Sequence, residues 1–253
     1  MNESSKDVLF TIAMKLDLPD LLRWCTSSSK INKEVCNNDN VWRSKLLIDY
    51  PDFESFNLNR FFSLKETYVF LYQLSLIKKL LRTKESLHDI FLKSEIDLSA
   101  KKLKKIPALD LPNVQFLFLD NNYLTKIPKF NLPNLRTLDL SANELEEISI
   151  SNLPNLESLN LFHNRLTRVE IFDLPMLRDL QLSDNHLKNI PAFDLPKLEN
   201  LNLSSNELTK LPSLNLPNLQ RLDLFQNPFS PEEKNKIVKK YNKVLDSYIF
   251  LFR

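Results

Sequence analysis

Between residues 94 and 229 the apolar positions recur with a period that no single helix or strand produces. Leucines stand in pairs two apart: Leu117/Leu119, Leu138/Leu140, Leu159/Leu161, Leu180/Leu182, Leu201/Leu203 and Leu222/Leu224. Three residues after each pair comes an asparagine, at Asn122, Asn143, Asn164, Asn185, Asn206 and Asn227. A Leu-Pro step precedes each pair, and its prolines, Pro112, Pro133, Pro154, Pro175, Pro196 and Pro217, are 21 residues apart. The unit reads L-P-x-L-x-x-L-x-L-x-x-N-x-L. A degenerate first copy carries Ile96, Leu98 and Leu103, with Lys101 at the asparagine position.

Side chains alternate along a strand, so the L-x-L leucines point to one side and their neighbours to the other. One coil cannot bury its own leucines, and stacked coils must cover one another. Seven strands at strand spacing make a parallel sheet roughly 34 Å wide. The asparagine side chain turns inward to satisfy backbone groups where the chain leaves the strand, forming a ladder. Ile106-Pro107, Ile127-Pro128 and Ile190-Pro191 fix extended backbone on the opposite side, whereas Ile148-Ser149-Ile150 and Val169-Glu170-Ile171 are suited to short strands there. The pattern resembles the leucine-rich repeat. That resemblance implies an α/β solenoid, a horseshoe with a parallel concave sheet, that works by holding another protein.

The outward strand positions form three columns. The first is Glu95, Phe116, Thr137, Ser158, Asp179, Asn200 and Arg221, and the second Asp97, Phe118, Asp139, Asn160, Gln181, Asn202 and Asp223. The third is Ser99, Asp120, Ser141, Phe162, Ser183, Ser204 and Phe225. Six carboxylates face one arginine, so this face is net negative by five while the whole chain is +2. Phe116, Phe118, Phe162 and Phe225 stand where solvent is expected and are anchor candidates. The expected target-binding set is Asp97, Phe116, Phe118, Asp139, Asn160, Phe162, Asp179, Gln181, Asn202, Asp223 and Phe225, facing a protein with a basic or apolar surface. The bland alternative is a solvated polar strand surface, with Phe116 and Phe118 packed on a preceding helix. The acidity disfavours a nucleic-acid backbone.

Helical covers are expected at both ends. Ser63-Leu64-Lys65-Glu66 is a capping box opening a helix to about residue 82, with Leu64, Tyr68, Leu71, Ile77 and Leu81 as its inner face. Ser230-Pro231-Glu232-Glu233 is another, opening a helix from Pro231 to about Tyr241, with apolar Val244 to Phe252 closing the edge.

Residues 6–50 follow a different pattern. Val8, Leu9, Ile12 and Leu16 fall on one helical face, and Pro19 opens a second helix. A third is expected over about 30–35 and a fourth over about 42–48. The run D-V-L-F-T-I-A-M-K-L-D-L-P-D-L-L-R (Asp7 to Arg23) and Asn40-Val41-Trp42-Arg43 followed by Lys45-Leu46-Leu47 look like an F-box-like domain. That resemblance implies docking of Val8, Leu9, Ile12, Leu18, Pro19, Leu21 and Leu22 on a Skp-type adaptor, and through it a cullin. The expected organisation is 1–50 F-box-like, 51–93 helical linker and cap, 94–229 repeats and 230–253 C-terminal cap. The implied function is the substrate-recognition subunit of an SCF-type ubiquitin ligase. A non-catalytic repeat scaffold or inhibitor is the alternative.

Composition narrows the chemistry. The chain contains no glycine, which excludes phosphate-cradling loops, dinucleotide fingerprints and nucleophile elbows in their usual form. The three histidines, His88, His163 and His186, have no cysteine or serine–aspartate set around them, so no catalytic residue, metal or cofactor is expected. Cys25 and Cys36 are too few for a disulfide framework, and reduced thiols are expected. The start MNESSKDVLF lacks the features of a secretory signal, and Tyr68–Ile77 is too short to span a bilayer. An intracellular, cytoplasmic location is expected, with the nucleus open to it.

Overall fold

A computed structural model describes residues 5–58, 62–171 and 173–241. The chain divides into two compact units, residues 1–91 and 92–253.

The first unit is helical: α1 (Ser5–Lys15), α2 (Leu18–Ser27), α3 (Ser29–Ile31), α4 (Asp39–Asp49), α5 (Leu64–Leu81) and α6 (Leu87–Leu92), which ends at the boundary. α2 is capped by Asp17, whose carboxylate accepts from Asp20 N at 2.9 Å. The third helix expected over 30–35 is instead a single turn, α3, running into a π-turn over Asn32–Cys36. The wider turn sends both Val35 and Cys36 into the core and leaves the Cys36 carbonyl to accept Trp42 Nε1 at 2.9 Å. α4 begins three residues before Trp42, because Asn38 caps it by accepting from Asn40 N at 3.0 Å. Both arms of the Ser63/Glu66 capping box form. Of the face expected on α5, Tyr68, Leu71 and Ile77 are buried while Leu64 and Leu81 are half-buried. Phe70 and Leu74 complete the buried side.

A further expectation for this unit is corrected. Cys25 and Cys36 form a disulfide, with Cα atoms 5.9 Å apart, so the thiols are not reduced. The end of α2 and the π-turn bring the two buried positions together, a single bridge that counting cysteines does not reveal. α1 keeps Val8 and Ile12 on its outer side. Its buried residue is Ala13, small enough to let α1 lie close on α4, and the roll leaves Val8 40% and Ile12 39% exposed. Between them α1, α4 and α5 enclose a buried charge. Lys45 is 2% exposed, pairs with Asp49 at 3.0 Å and lies over the Tyr68 ring at 5.4 Å. The Tyr68 hydroxyl donates to Asp49 Oδ2 at 2.5 Å, and burial pushes its pKa well above the usual tyrosine range.

The second unit is the solenoid. In chain order its strands are β1 (Glu95–Asp97), β2 (Leu109–Asp110), β3 (Phe116–Phe118), β4 (Phe130–Asn131), β5 (Thr137–Asp139) and β6 (Glu147–Ile150). They continue with β7 (Ser158–Asn160), β8 (Arg168–Ile171), β9 (Asp179–Gln181), β10 (Asn200–Asn202) and β11 (Arg221–Asp223), and α7 (Pro231–Tyr241) follows. One seven-stranded parallel sheet runs β1-β3-β5-β7-β9-β10-β11, which makes six complete turns between its first and last strands. The paired leucines of every coil are buried beneath it.

The asparagine ladder is present throughout. Asn164 is typical: Oδ1 accepts from Leu145 N of the preceding coil at 3.1 Å, and Nδ2 donates to Leu140 O at 3.0 Å and Leu161 O at 3.2 Å. With no glycine available, the residue before each ladder position enters the left-handed region: Asn121, Ala142, His163, Asp184, Ser205 and Gln226, with φ between 51° and 56°. A second set of asparagines, unforeseen in the sequence, sits after the prolines. Asn134, Asn155 and Asn218 donate to the carbonyls of Pro112, Pro133 and Pro196, one coil back.

On the opposite side the short strands expected at 148–150 and 169–171 form, each one residue longer at its start, and pair as β6-β8, and a further pair, β2-β4, lies before them. α7 has the expected bounds. Ser230 Oγ accepts from Glu233 N at 3.2 Å, and the Glu233 carboxylate accepts from Leu211 N at 3.3 Å, which fastens the helix to the last coil. Val244–Phe252 lies outside the described residues.

Candidate binding face of the solenoid

The strand registers align the expected columns. Glu95, Phe116, Thr137, Ser158, Asp179, Asn200 and Arg221 are successive partners, as are Asp97, Phe118, Asp139, Asn160, Gln181, Asn202 and Asp223. Both columns project from the sheet opposite the leucine core. The third column lies just past the strand ends. There Phe162 is 45% exposed, Phe225 is half-buried, and Ser183 is buried at 7%, contrary to its expected solvent position. Phe116 and Phe118 are half-buried.

The second column has a local task that the sequence reading missed. Asp97 Oδ1 accepts from Ser99 N at 2.9 Å and Ser99 Oγ at 2.5 Å; Asp139 does the same with Ser141 at 2.8 Å and 2.6 Å. Asn160, Asn202 and Asp223 accept from the backbone of Phe162, Ser204 and Phe225 at 3.1, 3.0 and 2.9 Å. Aspartate and asparagine recur here because a short acceptor closes the turn two residues on. The readable signal was D/N-x-S or D/N-x-F at five of the seven strand ends. The second carboxylate oxygen is left for other work, and Asp139 Oδ2 accepts from Asn160 Nδ2 at 3.0 Å. The two Ser99 hydrogen bonds hold the Asp97 carboxyl below its usual range, so its charge persists into acid.

Toward β11 the face dips into a polar depression of about 200 Å³. Asp179, Gln181, Asn202 and Asp223 from the expected set line it, together with Asn200 and Arg221, which that set omitted. Asp97, Phe116, Phe118, Asp139, Asn160, Phe162 and Phe225 lie on the same face outside it. The two histidines at the strand ends do not approach one another as a pair. His163 Nδ1 lies 2.5 Å from Asp184 Oδ2, and His186 Nδ1 lies 3.2 Å from Glu207 Oε1, each partner one coil on.

Models of the leucine-rich repeat match residues 112–166 and 133–187, and a two-copy repeat model matches 196–232. These coils are leucine-rich repeats. No curated protein matches the sequence significantly. Solved structures similar to the chain include a leucine-rich-repeat protein of Leptospira interrogans, 31% identical, covering 60% of this chain and 54% of that one at a TM-score of 0.38. YopM from Yersinia enterocolitica is 23% identical and covers 71% of this chain and 42% of its own at 0.44. A chain from the octameric complex of Latrophilin 3, Unc5D and FLRT2 is 22% identical, covering 56% of this chain and 54% of that one at 0.46. This chain therefore spans about half, or less, of the solved chains it matches.

In the helical unit the residues expected to dock on an adaptor separate by burial. Val8, Ile12 and Pro19 are exposed, and Leu9 and Leu22 are half-buried. Leu18 and Leu21 are 5% and 0% exposed and belong to the core of this unit. α2 turns its apolar stripe inward, so the apolar surface moves to other residues. Phe10, Leu47 and Ile48 are exposed at 37%, 52% and 62%.

Proposed function

We propose that the protein is a leucine-rich-repeat interaction scaffold whose seven-stranded face holds a partner protein with a basic, partly apolar surface. The observation that carries this reading is the register itself. It aligns an acid-rich column and exposed Phe162 on one continuous face, with a depression containing Asp179 and Asp223 at one end. Exposed aromatics supply anchoring area and carboxylates supply sign selection. The test is affinity capture with the full chain followed by mass spectrometry of what is retained. Asp179→Asn with Asp223→Asn should cut capture of the leading partner by about tenfold or more, as a desolvated charge pair would, and Phe162→Ala should add to the loss. Unchanged capture in both variants would remove the partner from this face.

A second reading makes the scaffold the substrate receptor of an SCF-type ubiquitin ligase, with the helical unit binding a Skp-type adaptor. Exposed Val8 and Ile12, one turn apart on α1, support it, since adjoining apolar side chains in solvent offer a contact surface. Purified adaptor should co-elute with the protein, and Val8→Glu with Ile12→Glu should abolish co-elution while the helical circular dichroism signal stays intact. Absence of co-elution in the wild type leaves the scaffold reading alone standing.

A further inference from the structure

A cavity of about 420 Å³ lies away from the seven-stranded face, on the opposite side of the solenoid. It opens where the two short sheets meet. β4 pairs with β2 and β6 pairs with β8, so the open edge of β6 faces the coil that carries β4. Proline explains the break. Ser149 of β6 stands 21 residues after Pro128, and Pro128 has no N–H with which to continue the ladder.

The direction of the unpaired groups follows from parallel pairing, in which alternate residues bond to a given neighbour. Thr167 N donates to Glu146 O at 2.9 Å, which assigns Glu146, Ile148 and Ile150 to the β8 side. The N–H and C=O groups of Glu147 and Ser149 therefore point into the cavity. Phe130 lines it as an apolar wall, and Lys126 and Lys129 stand on the coil opposite β6. Arg168 and Glu170 neutralise one another on the β6 side.

We propose that this groove binds an extended peptide segment that adds as a strand to the β6 edge, its apolar side chains toward Phe130 and an acidic side chain toward Lys129. Main-chain bonds to Glu147 and Ser149 supply register, and the wall supplies selectivity. This surface is independent of the seven-stranded face and of the partner proposed for it.

The probe is a fluorescein-labelled, end-blocked hexapeptide of alternating valine and glutamate, titrated into the full chain by fluorescence polarisation. It should bind, and hydrogen exchange at residues 147–149 should slow on binding. Ser149→Pro removes the edge N–H and installs the residue that other coils already hold at the equivalent positions Pro107, Pro128 and Pro191. It should keep the melting temperature within a few degrees and weaken the probe at least tenfold. Lys129→Glu should weaken it by about fivefold, and a valine–lysine probe should show the reverse preference. Phe162→Ala on the other face should change nothing. No binding at millimolar probe, or binding equal in wild type and Ser149→Pro, overturns the proposal.

Discussion

Two recurring residues carry much of the solenoid, and both can be tested singly. Asn164 is 7% exposed and satisfies the Leu145 N–H and two carbonyls of successive coils. Asn164→Ala leaves these groups buried and unpaired, at about 1–3 kcal/mol for each unsatisfied group. The expected loss is about 3 kcal/mol, read from denaturant unfolding. Ala142 shows the opposite potential. Its φ of 51° costs about 1 kcal/mol for a residue with a Cβ. Ala142→Gly should therefore leave the fold unchanged and raise the melting temperature by about 2–4 °C. The inward asparagines were legible in the sequence because their period was fixed at 21. The Asx-turn acceptors Asp97 and Asp139 were read only as surface charge, because hydrophobic periodicity does not distinguish a solvated carboxylate from one that closes a turn. Since Ser99 lowers the Asp97 pKa from 3.8 in the folded state, the stabilisation it gives is present above that ordinary value and is lost as pH falls through the lower folded value. Ser99→Ala should bring the Asp97 titration, followed by NMR, back up toward 3.8.

Among elements, α5 and α7, whose capping boxes were read in the sequence, were placed to within a residue, whereas α4, capped by Asn38, starts three residues before its expected position and the elements defined by tertiary packing were not placed. α5 and α7 start where Ser63 and Ser230 said they would. Ser63→Ala should cost about 1 kcal/mol by removing the acceptor for Glu66 N. α6 also had a readable box, since Ser86 Oγ accepts from Asp89 N at 3.0 Å, but six residues are too few to show a period. The π-turn and the roll of α1 depend on what each helix meets, and no local pattern encodes that. The Cys25–Cys36 bridge belongs here as well, since it ties α2 to the π-turn across a separation of 11 residues. Replacing both cysteines by serine should destabilise the helical unit by about 2–3 kcal/mol. Trp42 fluorescence would follow the change, because its indole N–H is held by the Cys36 carbonyl.

At the scale of the molecule, a near-neutral chain concentrates carboxylates on one face of its repeat unit. Partner capture on that face should weaken several-fold between low and high salt, mainly through slower association. Capture indifferent to salt would point to Phe162 and its aromatic neighbours as the whole source of affinity. The fold class was legible because repetition samples the same rule seven times. The depression near Arg221 was not, because it arises from how neighbouring coils stack polar residues of unequal length.

Every rung of the asparagine ladder reaches backward. The side chain in one coil closes hydrogen bonds left open by the coil before it, and the first coil, with Lys101 in that position, has no such debt to discharge. A chain emerging from a ribosome could thus lock each coil as soon as the next asparagine appears, without waiting for its far end. Folding would proceed as a zipper with a fixed direction. Nascent chains arrested after Asn143 or Asn185 should then already resist protease up to the previous coil.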